Sequence, residues 1–574
     1  MHYLVSFLLT LCLLQSATAV ASADIIFLGN NIVTVDAANA DADAVAVKDQ
    51  HIVAVGKEAR VLQHKGESTR VIKLGDRALV PGFIDAHGHM PFTGAIANRV
   101  NLSSPPVGAV NNIADIIQSL QAHISEKNIA PGEWVYGYGY DNSLIAEGRH
   151  PNRDDLDRAS LHHPISLMHV SGHLTAVNSK ALSDKGVDEN SLDPAGGIIR
   201  RRPGTNEPNG VMEETAGYLF QDRTAMSDPA KMAEMIRQSV ALHASYGLTT
   251  VQDGGSSLAM VRLFRNMAER EAFSVDVVAF PVGNRMDVDE LDGIQAEKNY
   301  TNGFRLGGIK FLLDGSPQGR TAYLSKPYTQ GPPGAAEDYR AYLVYPAEEY
   351  EKRVAQLIRR GVPVLAHANG DGAIDTLIQG VYKAIDGIEM PDHRTVIIHA
   401  QLTREDQLHQ IKQLGLVPSY FAAHPFFWGD WHRQSFGEAR AAFISPVART
   451  AELDIPFTVH NDAPIVPPDI MRLMWVTINR KTRSGFVLGP DQRATPMQAL
   501  HAVTLGAAYQ YFEEATKGSI TTGKQADLVI LGANPLTVDP DVIKDIPVLE
   551  TFARGRSIYR ADSEPTGSRE AKST

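Results

Sequence analysis

Cysteine is almost missing: the 574 residues contain one, Cys12. It lies in an apolar run from Tyr3 to Leu14, followed by small residues and two small-x-small sites, Ala17-Thr18-Ala19 and Ala21-Ser22-Ala23. That pattern predicts an export signal over residues 1–23, cut before Asp24, and a periplasmic or secreted protein. Leu9-Thr10-Leu11 lack the small residue that precedes a lipidated cysteine, so no lipid anchor is expected. The mature chain then carries no thiol. Disulfides are excluded, and any bound metal must use nitrogen and oxygen ligands. An excess of positive charge is also missing, with 54 basic residues against 66 acidic ones and a formal net charge of −12. This disfavours non-specific binding to nucleic acid or anionic membrane, and no nucleic-acid partner is expected. Past the N-terminal run no segment is apolar for long enough to cross a bilayer, so the mature chain should not insert stably. Internal repeats and low-complexity tracts are lacking as well.

What is present is β at both ends and α/β between. Short alternating runs at Ile25 to Val35, Ala44 to Val55 and Thr69 to Leu74 are matched late in the chain. There Gly518 to Thr521, Ala526 to Leu531 and Thr551 to Tyr559 repeat the style. They predict a small β-sandwich built from both termini, residues 24–80 plus 515–560. Between them, β runs at 83–87, 248–252, 275–282, 306–313, 362–367, 394–399, 416–421 and 455–460 alternate with helical patterns such as 230–246 and 347–360. Eight such runs predict a (β/α)₈ TIM-type barrel over 81–514, with catalysis at the strand C-termini. Residues 100–225 read as an insertion after the first barrel strand, because Pro, Gly and Asn break the alternation there. One further β run, Ile165 to Val170, falls inside it.

Polar residues collect at the ends of the barrel runs. The first ends in Asp85-Ala-His87-Gly-His89, and alternate residues of a strand point the same way, so both imidazoles share one side. Lys310 follows Gly-Ile on the fourth run; His367 and His399 end the fifth and sixth; Asp462 follows the eighth. Singly, each is more often a structural residue than a ligand. Together, four His, one Lys and one Asp at one barrel mouth can hold two divalent cations through nitrogen and oxygen. Around them, His173 in the insertion, Arg320, Asp371, His424, Trp428 and Asp430 are candidate substrate contacts or ordinary loop residues.

These motifs (PGFIDAHGH, GLTTVQDGG, IKFLLDGSPQGRTA, VLAHANGD, IIHAQ, HNDAP and GSITTGKQADLVIL) resemble the amidohydrolase superfamily, amidohydrolase family 3, over nearly the whole mature chain. Within it they look most like the exported branch that includes N-substituted formamide deformylase. The resemblance implies a buried metal on His87, His89 and Asp462 and a more exposed one on His367 and His399. It also implies a carboxylated Lys310 (N6-carboxylysine) bridging the two, and zinc as the metal. An unmodified Lys310 beside a single metal is the other arrangement open. Gly372 departs from the larger, basic residue that relatives often carry there.

The implied reaction is hydrolysis of a non-peptide C–N bond in a small molecule by a metal-activated water, with Asp462 passing the proton to the leaving amine. An esterase, lactonase or phosphotriesterase could use the same centre, and a ring deaminase would need only one metal. A non-catalytic exported binding protein would have no use for a complete ligand set. Assembly into an oligomer is compatible with all of these.

Overall fold

The computed structural model describes residues 22–95, 99–221 and 228–561. All but the last two residues of the expected export signal lie outside these. No helix among the described residues is long and apolar enough to cross a membrane.

Two parallel sheets form the centre. One orders Phe304–Leu306, Asp276–Pro281, Leu248–Ser256 and Phe83–Ile84; the other orders Ile309–Leu312, Val364–Ala368, Val396–His399, Val417–Tyr420 and Thr458–Val459. Ile84, Val278, Phe280, Leu365, Val396, Ile398 and Val417 come from both sheets and bury one shared apolar cluster. A single parallel bridge, Val282 to Lys310, joins the sheets on one side. On the other side, no strand pairing links Phe83–Ile84 to Thr458–Val459 among the described residues. Hydrogen bonds from Ile84 N to Val503 O (2.9 Å) and from His89 N to Ala463 O (2.7 Å) connect the chain there. Both strands are shorter than the sequence pattern implies, because the chain leaves the ladder early to present Asp85 to His89 and His460 to Asp462. The helices Pro229–Ser245 and Ala347–Arg359 fall where the apolar spacing placed them.

The stretch after the first strand is more regular than its composition suggests. It forms a six-stranded sheet in the order Gly197–Arg201, Pro208–Glu214, Leu174–Val177, Ile165–His169, Val135–Tyr140, Val100–Asn101. Helix Ile113–Glu126 covers it over a separate core that includes Leu102, Ile116, Leu120 and Leu167. Most of the Pro, Gly and Asn residues punctuate turns. Gly139, at φ 84°, instead sits inside a strand where a side chain would strike Ser103.

Near the termini, His51–Gly56, Ala44–Lys48, Ile25–Leu28 and Arg70–Lys73 form one sheet. Arg556–Arg560, Val548–Ala553, Leu528–Leu531 and Ala78–Pro81 form another. Phe27, Val45, Leu79, Leu528 and Phe552 share a core between them, and the Phe27 and Phe552 rings meet edge to face at 5.3 Å.

Candidate metal centre

His87 is fully buried where the first parallel strand ends. Its Nδ1 lies 2.5 Å from Gln252 Oε1. The Gln252 amide nitrogen donates to Ala86 O (3.0 Å) and to Tyr511 Oη (2.6 Å), which leaves the amide oxygen to accept from His87. That hydrogen bond puts the imidazole proton on Nδ1 and frees the Nε2 lone pair, the arrangement that orients a ligating histidine. The strand carrying Gln252 passes very close: a Cβ on Gly254 would overlap the His87 ring, and one on Gly255 would press on His89 at 2.8 Å.

Asp462 Oδ1 lies 3.4 Å from His87 Nε2 and 3.3 Å from His89 Nε2, and one donor atom from each residue lies within 4.8 Å of the others. Oδ1 is buried without a hydrogen-bond partner. Burial alone would push the Asp462 carboxyl up, but the His89, His87 and His460 imidazoles hold it far below the usual carboxylate range. Asp462 (φ 55°) and His399 (φ 75°) both sit in the left-handed region, where non-glycine residues concentrate at functional sites.

Lys310 Nζ is 2.9 Å from His87 Nε2. Burial pulls its ammonium down to about 7, against the Asp462 and Asp253 charges. His367 Nδ1 and His399 Nε2 are 3.0 Å apart, and His399 Nδ1 is buried and unpartnered. The His87 and His399 rings are 5.5 Å apart, so the two groups of donors are neighbours. Burial holds the His87, His367 and His399 imidazoles well below their ordinary range, so all three are neutral, with lone pairs to offer. This donor set, nitrogen and oxygen with orphaned lone pairs, fits divalent cations.

The surrounding candidates separate. The His173 ring lies 5.1 Å from that of His367. His424 packs on Phe421 and Trp428 and shares a 2.8 Å hydrogen bond with His432. Trp428 Nε1 donates to Asp141 Oδ2 (2.6 Å), just past strand Val135–Tyr140, and so ties the six-stranded sheet to this region. Arg320 stacks on Trp431 at 3.9 Å and donates to Ser435 Oγ and Gly331 O. Asp371 is engaged elsewhere, accepting from Ser325 N (2.9 Å) and pairing with Arg404 (3.1 Å), and Asp430 accepts from Thr482 and Ser484.

Sequence reasoning passed over His460, Gln252 and Glu214. Both His460 ring nitrogens are buried and unpartnered, and its ring centroid lies 5.2 Å from those of His87 and His399. The alternation in His460-Asn-Asp462 was the available signal, the same one that singles out His87 and His89. Gln252 stood in a quoted motif; Glu214 had no local signal.

The model of the Amidohydrolase family matches residues 70–559. The N-substituted formamide deformylase of Arthrobacter pascens is 27% identical over 557 residues, 95% of this chain and 99% of that protein. The protein LONG AFTER FAR-RED 3 of Arabidopsis thaliana is 25% identical, over 94% of this chain and 92% of its own length. The crystal structure of an uncharacterized metal-dependent hydrolase from Pyrococcus horikoshii superposes with a TM-score of 0.69 at 21% identity, covering 90% of this chain and 99% of that one. That likeness shows a shared α/β hydrolase fold.

Proposed function

Because this chain belongs to the amidohydrolase family and is a hydrolase acting on carbon–nitrogen bonds other than peptide bonds, we propose that it cleaves the amide bond of a small N-substituted formamide or a similar amide. The observation that carries this reading is the convergence of His87, His89 and Asp462 on one point, with Gln252 fixing the His87 lone pair toward it. His87, His89 and Asp462 would hold one divalent metal, His367 and His399 a second, and Lys310 would bridge them; zinc suits the donors. A buried lysine amine drawn toward its neutral form can add CO₂, losing a proton and gaining two carbamate oxygens. Bound metal supplies a Lewis acid that acidifies water and polarises the amide carbonyl. Asp462 accepts the proton of the attacking water and returns it to the leaving nitrogen. His173, His424 and Trp428 line the approach, while Arg320 and Asp371 act on substrate through the loops they anchor.

The two parallel sheets are read as one (β/α)₈ barrel, supported by the cluster they share and by the Val282–Lys310 bridge. Residues 24–80 with 515–560 are read as a sandwich domain, 100–225 as an insertion in the barrel of 81–514, and 1–23 as an export signal. A panel of formanilide, phenyl acetate and a phosphotriester, assayed before and after chelation with metal analysis alongside, tests the activity. Formanilide should be hydrolysed, should fail after chelation, and should recover with Zn²⁺. Turnover of the ester or the phosphotriester alone would replace the amide reading, and full activity without metal would end it.

A further inference from the structure

The insertion reaches the metal donors through one bonded pair of side chains. His173 leads into strand Leu174–Val177, and Glu214 closes strand Pro208–Glu214 beside it. The pair is joined twice. Glu214 N donates to His173 O (2.8 Å), and the Glu214 carboxylate Oε2 accepts from His173 Nδ1 (2.7 Å). The His173 ring is tilted at 51° to that of His367, with centroids 5.1 Å apart, and with Nδ1 held by Glu214 it is Nε2 that is left to other partners.

Three further observations single out Glu214. Its backbone, at φ 48° and ψ −122°, lies where a side-chain-bearing residue is strained, and such strain persists where the surroundings demand it. Its second oxygen, Oε1, is buried without a partner. Room for that oxygen exists only because residue 315 is glycine: a Cβ there would collide with Oε1 and with Thr321. The same Gly315 places its carbonyl 3.0 Å from His367 Nε2, so the carboxylate is built into the wall of the donor cluster. An ordinary hairpin ion pair requires neither the strain nor the glycine.

We propose that Glu214 is a positioning residue that holds His173 by its Nδ1–H, so that Nε2 meets the substrate's amide group beside His367; the premise is the reading of His173 as a substrate contact. The role proposed for Glu214 is orientation through the Nδ1–H bond. A carboxylate or carboxamide oxygen at the right distance can serve, whereas a retained charge at the wrong distance cannot.

The test compares Glu214→Gln, which keeps length and an acceptor oxygen, with Glu214→Asp, which keeps the charge but withdraws it by one methylene. Each is made in the full chain, alone and with His173→Asn, with kcat and KM measured on formanilide beside metal content and melting temperature. Glu214→Gln should stay within about threefold of wild type in kcat/KM. Glu214→Asp should raise KM about tenfold, with metal content unchanged and a smaller effect on kcat. In the His173→Asn background, Glu214→Asp should change nothing further, because the group it orients is gone. Wild-type kinetics in Glu214→Asp, or the same loss with and without His173, would overturn the positioning role while leaving the His173 contact standing. Wild-type kinetics in His173→Asn would remove that contact and this role with it. A wild-type enzyme inert on formanilide would sink the amide reading first.

Discussion

At the scale of single residues, Asp462 and Lys310 sit within one cluster but should fail differently. Asp462 faces two imidazoles and keeps its carboxylate ionised in a buried position. Asp462→Asn preserves shape and one oxygen but removes the proton acceptor. It should retain most of its metal while kcat falls by roughly 10²-fold or more. If Lys310 carries the proposed bridging carbamate, Lys310→Ala should instead lose metal, and a short carboxylic acid added to it should restore part of the rate by filling the gap. Metal analysis beside kinetics separates the two. A Lys310→Ala protein with two metals and normal turnover would remove the bridge, and a fully active Asp462→Asn would remove the general base.

At the scale of elements, the strand Leu248–Ser256 shows what a sequence makes legible and what it hides. Its apolar start was plain. The β run legible in the sequence stops at residue 252, yet the ladder continues to Ser256, with Gln252 set against His87. The two glycines serve close approach to imidazoles more than 160 residues earlier, and no local pattern records such a partner. The His-x-His motif was legible because alternation is a local rule. His460 obeys the same rule, two residues before Asp462. The six-stranded sheet was harder, since Gly137 and Gly139 interrupt a strand to let Leu102, Leu167 and Ser103 pack closely. Glu214 becomes meaningful only once that sheet has been folded over the donors. The strand's own prediction follows from its packing. Gly254→Ala has ordinary strand backbone but pushes on the His87 ring, so metal affinity should drop about tenfold or more while the fold survives. Metal titration beside circular dichroism checks this, and unchanged affinity would mean that the ring is free to move aside.

At the scale of the whole molecule, the C-terminal sheet is fastened to the central one through charge. Asp276, on strand Asp276–Pro281, meets Lys517 at 2.5 Å and also pairs with Arg554, which follows strand Val548–Ala553. Lys517 and Asp276 are each only 3% exposed, and Glu513 lies 3.0 Å from the same ammonium. Leaving a buried charge without its partner costs about 3–5 kcal/mol. Glu513 still pairs with Lys517 after Asp276→Asn, so the variant should lower the unfolding free energy by up to that order in chemical denaturation at pH 7, with little effect on the metal donors. The loss should also depend on pH in a definite direction. Burial opposes the charge of Asp276, but Lys517 and Arg554 outweigh it and hold the carboxyl below its ordinary value. A depressed carboxyl pKa contributes stability that is complete above the unfolded value near ~4 and disappears as pH falls through the lower folded value. Asp527, pushed up to about 6 by burial and in part by the Asp276 charge itself, offsets some of the gap at neutral pH until it takes up its proton. The gap between wild type and Asp276→Asn should therefore stay wide at neutral pH and narrow progressively below about pH 4. A gap of constant size down to acid would show that shape, not charge, joins the two sheets at this point.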